Sequence, residues 1–309
     1  MAQDLLLHSM AEFECLTLPL LEIIRANQIA EIGTEQGGNS RLLAEWLAER
    51  DGQLYSIDPK PSQAFIDWVE TQSGTVKYIP ELSLAAIPTL GTIDAWFIDG
   101  DHNWYTVFHE LQAITTLSQH QQHYPLIFLH DVCWPCQARD LYYAPSTIPT
   151  EHCHPYSYDK GVTLDNPQLI AGGFRGHGQY ALALQEGGEQ NGVLTAVHDF
   201  MATYPEQYAL AIIPAVLGLG ILYNKNHPCA QQIAALISPY DHNPLLKILE
   251  KNRLANYLKV IEWQDRFAAT EIEIESLRTQ LANLAQQKNS IKKRVTTVLR
   301  RLYKPAKAC

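Results

Sequence analysis

The sequence predicts an α/β fold, a mostly parallel sheet followed by a long C-terminal helix, and three observations carry that reading. Between residues 25 and 130, short apolar runs alternate with segments whose apolar residues recur at helical spacing, the rhythm of a parallel sheet with crossover helices. From 244 onward the pattern is helical without a break. A composition of 46% hydrophobic and 18% charged residues in a 309-residue chain excludes disorder or a fibrous repeat over most of its length.

Taken in order, residues 28–33, 53–58, 76–79, 93–99 and 126–131 read as strands, with helices at 40–50, 62–71 and 104–118 between them. Residues 132–190 break the rhythm. They are rich in Pro, Gly, Tyr and His with little periodicity, and so long an irregular stretch inside a compact domain reads as a lid or acceptor-binding insertion. A helix resumes at 192–203, and two antiparallel-looking strands, 208–214 and 218–223, then close the sheet edge. The longest apolar run, 209–223, is broken by Pro214, Gly218 and Gly220, so no transmembrane segment is expected. Residues 1–240 are thus read as one domain and 244–309 as a helical tail.

In that tail Val260, Trp263, Phe267, Thr270, Ile274, Leu277, Leu281, Leu284, Lys288, Ile291, Val295, Val298 and Leu302 alternate by three and four, and eleven of the thirteen are apolar. A heptad pattern of that length predicts a coiled coil, with a homo-oligomer or a helical partner engaged through 260–302. A helix lying back on its own domain is the alternative. Nine basic residues and no acidic one follow Glu275, which leaves 14 basic against 33 acidic side chains elsewhere. The acidic body would repel a phosphate backbone and argues against nucleic-acid binding, whereas the basic end suits an anionic membrane surface. An early Asp4 and the lack of a basic leader argue against a secretory signal, so a cytoplasmic location, peripheral at the membrane at most, is expected. Six scattered cysteines do not make a disulfide framework.

Chemistry concentrates at strand ends. Gly33, Gly37 and Gly38 lie between the first strand and its helix, where backbone can approach a ligand and a helix N-terminus favours an anion. The spacing is not GxGxxG, which weakens a nicotinamide reading. Asp58 ends the second strand, where an acid can accept ribose hydroxyls. Asp99-Gly100-Asp101-His102 follows the fourth strand, at the edge where ligands of open α/β sheets bind.

Glu31-x-Gly33-x-x-x-Gly37-x-x-Ser40, Ser56-Ile57-Asp58 and Asp94-x-x-Phe97-Ile98-Asp99-Gly100-Asp101-His102 resemble the S-adenosylmethionine sites of class I methyltransferases. They are most similar to the metal-assisted O-methyltransferases of the catechol-type and macrolide or sugar branches, over about residues 25–225. The resemblance implies a Rossmann-like, doubly wound sheet of seven strands with a reversed last hairpin. It implies S-adenosylmethionine as cofactor, with Glu31 and Gly33 on the methionine side, Gly37 and Ser40 in the same turn, Asp58 on the ribose, and Ser83 and Asp99 nearby. His102 stands where those families place a His or Lys base, and imidazole titrates in a suitable range. A loop histidine without a role is the alternative. Asp99 and Asp131 match magnesium ligands, but His130 stands where a carboxylate belongs. That substitution shifts preference from Mg toward Mn, or makes His130 a second base with no metal bound.

Cys133-x-x-Cys136 with His152-Cys153-His154 raises a zinc site or a redox pair as rivals, though the second half lacks the spacing of known zinc modules. The same stretch resembles a segment of methyltransferases found beside glycosyltransferases in bacterial polysaccharide clusters. Its aromatics suit a sugar ring, so Asn103, Trp104, Trp134, Arg139, Tyr142 and Tyr143 are candidate acceptor contacts, or they simply fold the insertion. The sequence therefore reads as an O-methyltransferase acting on a hydroxyl of a small-molecule or glycan acceptor. A NAD-dependent oxidoreductase and a non-catalytic coiled-coil scaffold are the rival classes.

Overall fold

A computed structural model describes residues 8–72 and 74–302; the first seven residues, Lys304, Lys307 and Cys309 lie outside the described residues. Seven strands form the central sheet: β1 (Gln28–Ile32), β2 (Gln53–Ile57), β3 (Val76–Ile79), β4 (Ala95–Ile98), β5 (Leu126–Leu129), β6 (Tyr208–Ile213) and β7 (Leu219–Asn224). Their order is β6-β7-β5-β4-β1-β2-β3. β1 to β5 pair in parallel, and β7 runs antiparallel to both β5 and β6. The sheet is Rossmann-like and doubly wound, with the order reversing between β1 and β4. β4, β5 and β7 are buried at every position, which is why their sequences are unbroken apolar runs rather than alternating ones.

Helices cover both faces. α5 (Trp104–His120) and α6 (Val193–Thr203) pack Val107, Leu111, Ile114, Val197 and Phe200 on one face. α1 (Glu14–Ile24), α2 (Gly38–Ala48) and α7 (Ala230–Ile237) pack Leu20, Leu21, Leu43, Leu47 and Ile233 on the other, against Phe97 and Phe128. α3 (Gln63–Val69) and α4 (Ser83–Ala86) are short crossovers at the β3 side. α1 and α7 have no counterpart in the sequence reading, which begins at the first strand and breaks off at the last.

The stretch read as irregular is ordered by strands too short to show alternation. Leu141–Tyr142 and Tyr156–Ser157 flank Ala181–Ala183 in an antiparallel sheet, and Gly161–Thr163 pairs with Asn166–Ile170. One buried carboxylate ties it to the main domain. Asp140 accepts from the Trp104 and Gly192 backbone N–H groups and from the Tyr142 hydroxyl, each at 2.7 Å.

α8 (Pro244–Leu302) begins inside the compact unit, which ends at Leu258 rather than at 240–244. Leu254 is buried against Leu217, and Glu250 accepts from Leu217 N at 2.9 Å, so the first turns of α8 belong to the domain. Residues from Lys259 form a second unit that is helical to Leu302. No helix among the described residues is long and apolar enough to cross a membrane.

Asp140→Ala leaves three buried donors without an acceptor. At ~1–3 kcal/mol for each unsatisfied group, a loss of about 3 kcal/mol or more is expected in urea denaturation. Asp140→Asn, which keeps one side-chain oxygen, should lose less; equal stability of Asp140→Ala and the parent chain would show that the carboxylate is not the tie.

Candidate active site

The carboxyl edge between β1 and β4 is shaped first by one glycine. Gly33 has φ +83°, and a Cβ there would stand 2.2 Å from the Asp99 carbonyl oxygen, so the ends of β1 and β4 can meet only without a side chain. Gly37, at φ +78°, caps the N-terminus of α2. Asp58 holds the loop between them: its Oδ2 accepts from Thr34 N at 2.9 Å and Glu35 N at 3.3 Å, and its Oδ1 from Lys60 N at 2.8 Å.

Glu31 differs from its sequence reading. Its carboxylate is buried and accepts from Asn39 Nδ2 at 2.9 Å and from the Ser40 hydroxyl, which makes both Glu31 and Ser40 a strut between β1 and α2. Burial pushes the Glu31 carboxyl up to about 7, and the two hydrogen bonds oppose that rise. Ser83, at the start of α4, is buried beside Glu110 of α5.

The ends of β4 and β5 bring four titratable side chains together. Asp99, His102, His130 and Asp131 each offer a ligand atom, all within 4.8 Å of one another. His102 Nε2 lies 2.6 Å from Asp131 Oδ2 and 3.4 Å from Asp99 Oδ1; His130 Nδ1 lies 3.0 Å from Asp99 Oδ1 and 3.5 Å from Asp131 Oδ2. His130 Nε2 is 2.9 Å from the Val216 carbonyl. Asp131 sits at φ +57°, a left-handed conformation that aspartate tolerates better than most residues and that turns its side chain back to the cluster.

Opposite charges decide the protonation here. Burial alone would raise Asp99, yet the neighbouring His130 charge and the hydrogen bonds from both histidines hold it well below the usual carboxylate range. Burial alone would lower the histidines, yet Asp99 and Asp131 push His130 up to about 9, and Asp131 above all raises His102 well above an ordinary imidazole. The two carboxylates thus favour the protonated form of His102.

Of the candidate acceptor contacts, Trp104, Arg139 and Tyr142 are buried and committed to the scaffold. Trp104 Nε1 donates to Asp199 at 2.8 Å, Arg139 donates to the carbonyls of Ala183 and Pro167, and Tyr142 accepts from His154 N at 3.0 Å while donating to Asp140. Asn103 is buried as the cap of α5, accepting from Thr106 N at 2.9 Å. Tyr143 is exposed, with its ring centroid 6.1 Å from that of His102, and Trp134 is half-buried against Phe174. The cysteines do not join a metal-ligating group among the described residues; burial pushes the Cys133 thiol up to about 11 and holds the Cys136 thiol well above the usual range, so neither is an activated thiolate.

The sequence reading gave no role to two buried carboxylates. Asp140 gives no periodic or spacing signal. Glu110 does, since it stands on the apolar stripe of α5 between Val107 and Ile114. It is fully buried beside the Ser83 hydroxyl, and burial pushes its carboxyl up to about 8 against the opposing contact with Ser83. Its unfolded value is near 4.5, so its contribution to stability is complete below that pH and is lost as pH rises through about 8. Glu110→Gln should flatten the fall in Tm between about pH 5 and 8, and parallel curves for the two proteins would contradict this.

Residues 30–132 match the family model for the methyltransferase domain. No curated protein matches the chain in sequence. Among solved structures, the chain is similar to the SAH-bound Podospora anserina methyltransferase PaMTH1, at 15% identity over 68% of this chain and 76% of that one, with a TM-score of 0.42. A putative caffeoyl-CoA O-methyltransferase from Staphylococcus aureus aligns at 15% identity over 70% and 92%, TM-score 0.40. The O-methyltransferase from Bacillus cereus in complex with SAH aligns at 15% over 73% and 84%, TM-score 0.40. The matched residues run from within β1 to just past the end of β5 and so span the parallel half of the sheet.

Proposed function

We propose that the chain moves the methyl group of S-adenosylmethionine to a hydroxyl of a small molecule, a sugar of a glycan or glycosylated metabolite. The observation that carries the reading is the cluster of half-buried Asp99 with buried His102, His130 and Asp131, set at the carboxyl edge of the sheet inside the matched residues. In the transfer, the hydroxyl oxygen attacks the sulfonium methyl, the carbon–sulfur bond breaks, and the hydroxyl proton passes to a base. The products are a methyl ether and S-adenosylhomocysteine.

Each residue then has a task. Gly33 and the start of α2 leave room for the cofactor, and Asp58, while ordering the loop at 34–35, faces its ribose. Glu31 and Ser40 keep that loop in place from behind. His102 takes the proton; because the neighbouring carboxylates favour its protonated form, it must first give up its own proton to solvent. Tyr143, exposed beside His102, offers an aromatic face to a sugar ring, and Trp134 a second.

The donor set fits a divalent cation. Asp99, Asp131 and His130 would hold it, with the Val216 carbonyl fixing His130 through Nε2 so that Nδ1 faces the site. Two carboxylates with imidazole suit Mn better than Mg. When bound, the cation would counter the carboxylate charge and favour neutral imidazoles and an ionised acceptor oxygen.

Calorimetric titration of S-adenosylmethionine and S-adenosylhomocysteine into chelator-treated protein, repeated with Mg²⁺ and Mn²⁺, should give a micromolar Kd that weakens at least about tenfold in Asp58→Ala. His102→Ala should keep cofactor binding and lose about a hundredfold or more of transfer to sugar acceptors. Absence of cofactor binding under every metal condition would sink the reading, binding of NAD alone would replace it with an oxidoreductase, and a fully active His102→Ala would remove His102 as base.

A further inference from the structure

Among the described residues the second unit presents an exposed apolar seam. Trp263, Phe267, Leu277, Leu281, Ile291 and Val298 are all exposed along one helix. In the heptad reading, Val260, Phe267, Ile274, Leu281, Lys288, Val295 and Leu302 occupy position a, and Trp263, Thr270, Leu277, Leu284, Ile291 and Val298 occupy position d. Such a seam calls for a second helix, and the charges of this one indicate which helix and in which direction.

Glu262 is paired within the helix by Lys259 at 2.7 Å and by Arg266 at 2.5 Å, and Glu275 by Arg278 at 3.6 Å. Glu271 and Glu273 on the acidic half, and Lys292 and Arg294 on the basic half, have no ion-pair partner among the described residues. An antiparallel pair of identical helices, in which a meets d, has one register that stacks Leu281 on Leu284, Ile274 on Ile291 and Phe267 on Val298. That register sets position e against e and g against g across the seam, so Glu271 meets Lys292 and Glu273 meets Arg294, each twice by symmetry. All four unpaired charges find opposite partners.

A parallel, in-register pair fares worse. It would match Arg266 with Glu271 and Glu273 with Arg278, but Arg266 and Arg278 already hold intrahelical partners. It would also stack Lys288 on Lys288 in the apolar seam, where the antiparallel register sets it against Leu277 and lets its ammonium reach solvent. From 288 to 301 the sequence has six basic residues and no acid, and a parallel pair lays the two basic segments side by side. The antiparallel register has a cost of its own, since it sets position 266 against position 301, both arginine. That pairing falls at each end of the seam, where Arg266 is held by Glu262.

We infer that the segment 263–302 is a self-recognition surface whose occupant is a second copy of this chain, bound as an antiparallel two-stranded coiled coil about 60 Å long at ~1.5 Å per residue. The inference stands independently of the methyl-transfer reading.

The test uses the full-length chain in sedimentation equilibrium at low and high salt. The parent chain should behave as a dimer that weakens as salt rises. Lys292→Glu with Arg294→Glu turns four attractions into repulsions and should raise the dimer Kd about tenfold or more. Adding Glu271→Lys and Glu273→Lys to the same chain restores every pair in the antiparallel register and should return the Kd to within about threefold of the parent. In a parallel dimer, Glu273→Lys instead places a cation against Arg278, so the same quadruple change cannot restore it. A monomer or a trimer as the parent species, an unchanged Kd in the double variant, or failure of the quadruple variant to recover would each overturn the inference.

Discussion

Two carboxylates and two imidazoles buried at one point of a sheet edge set the terms for everything around them. Burial alone would disfavour the charged forms of Asp99, His102 and His130. Their mutual contacts reverse that: the histidines pull the Asp99 carboxyl down, and the neighbouring carboxylates raise both histidines. A balance of this kind needs contacts of about 3 Å, so it fixes where β4 and β5 may end. It also explains the left-handed backbone at Asp131, since an extended continuation of β5 would carry that side chain to another face of the sheet.

The insertion between β5 and α6 obeys a similar constraint at longer range. Leu141, Val162 and Leu182 join its strands to the main core, and polar anchors add to that packing. Asp140 and Arg139 supply them, one to the N-terminus of α5 and the start of α6, the other to carbonyls within the insertion. Because α5 also begins just after His102, the carboxylate that holds the insertion also holds the helix that positions His102. The insertion also meets the cluster directly, since Leu141 N donates to the His102 carbonyl at 3.0 Å.

The sheet and its strand ends were legible in the sequence because parallel strands buried on both faces leave unbroken apolar runs, and because Asp58, Asp99 and Asp131 interrupt those runs at the edge. The identity of the site residues was legible; their engagements were not. Glu31 reads as a cofactor contact from its motif, but whether a carboxylate meets a ligand or Asn39 and Ser40 is decided by how α2 enters, which no spacing reveals. His102 reads as a base near neutrality, but its protonation is set by Asp131, twenty-nine positions away in sequence and 2.6 Å away in space. The strands of the insertion, two to five residues long, are below the length at which a period of two can be seen.

The domain boundary shows why such engagements matter to function. Position 240 looked like an end because a Pro-containing turn follows it and a heptad pattern then takes over. Yet Glu250, on the far side of that apparent boundary, accepts from Leu217 N and is itself held by Arg253 at 2.6 Å. Leu217 and its neighbour Val216 both have positive φ, an unfavourable conformation for an apolar branched residue, so the turn between β6 and β7 needs a brace from outside. The carbonyl of Val216 is the group that fixes His130. The first turns of the C-terminal helix are thus two hydrogen bonds removed from the central cluster, and a domain cut at 240 would keep the whole sheet while losing the contact that stabilises the turn behind His130.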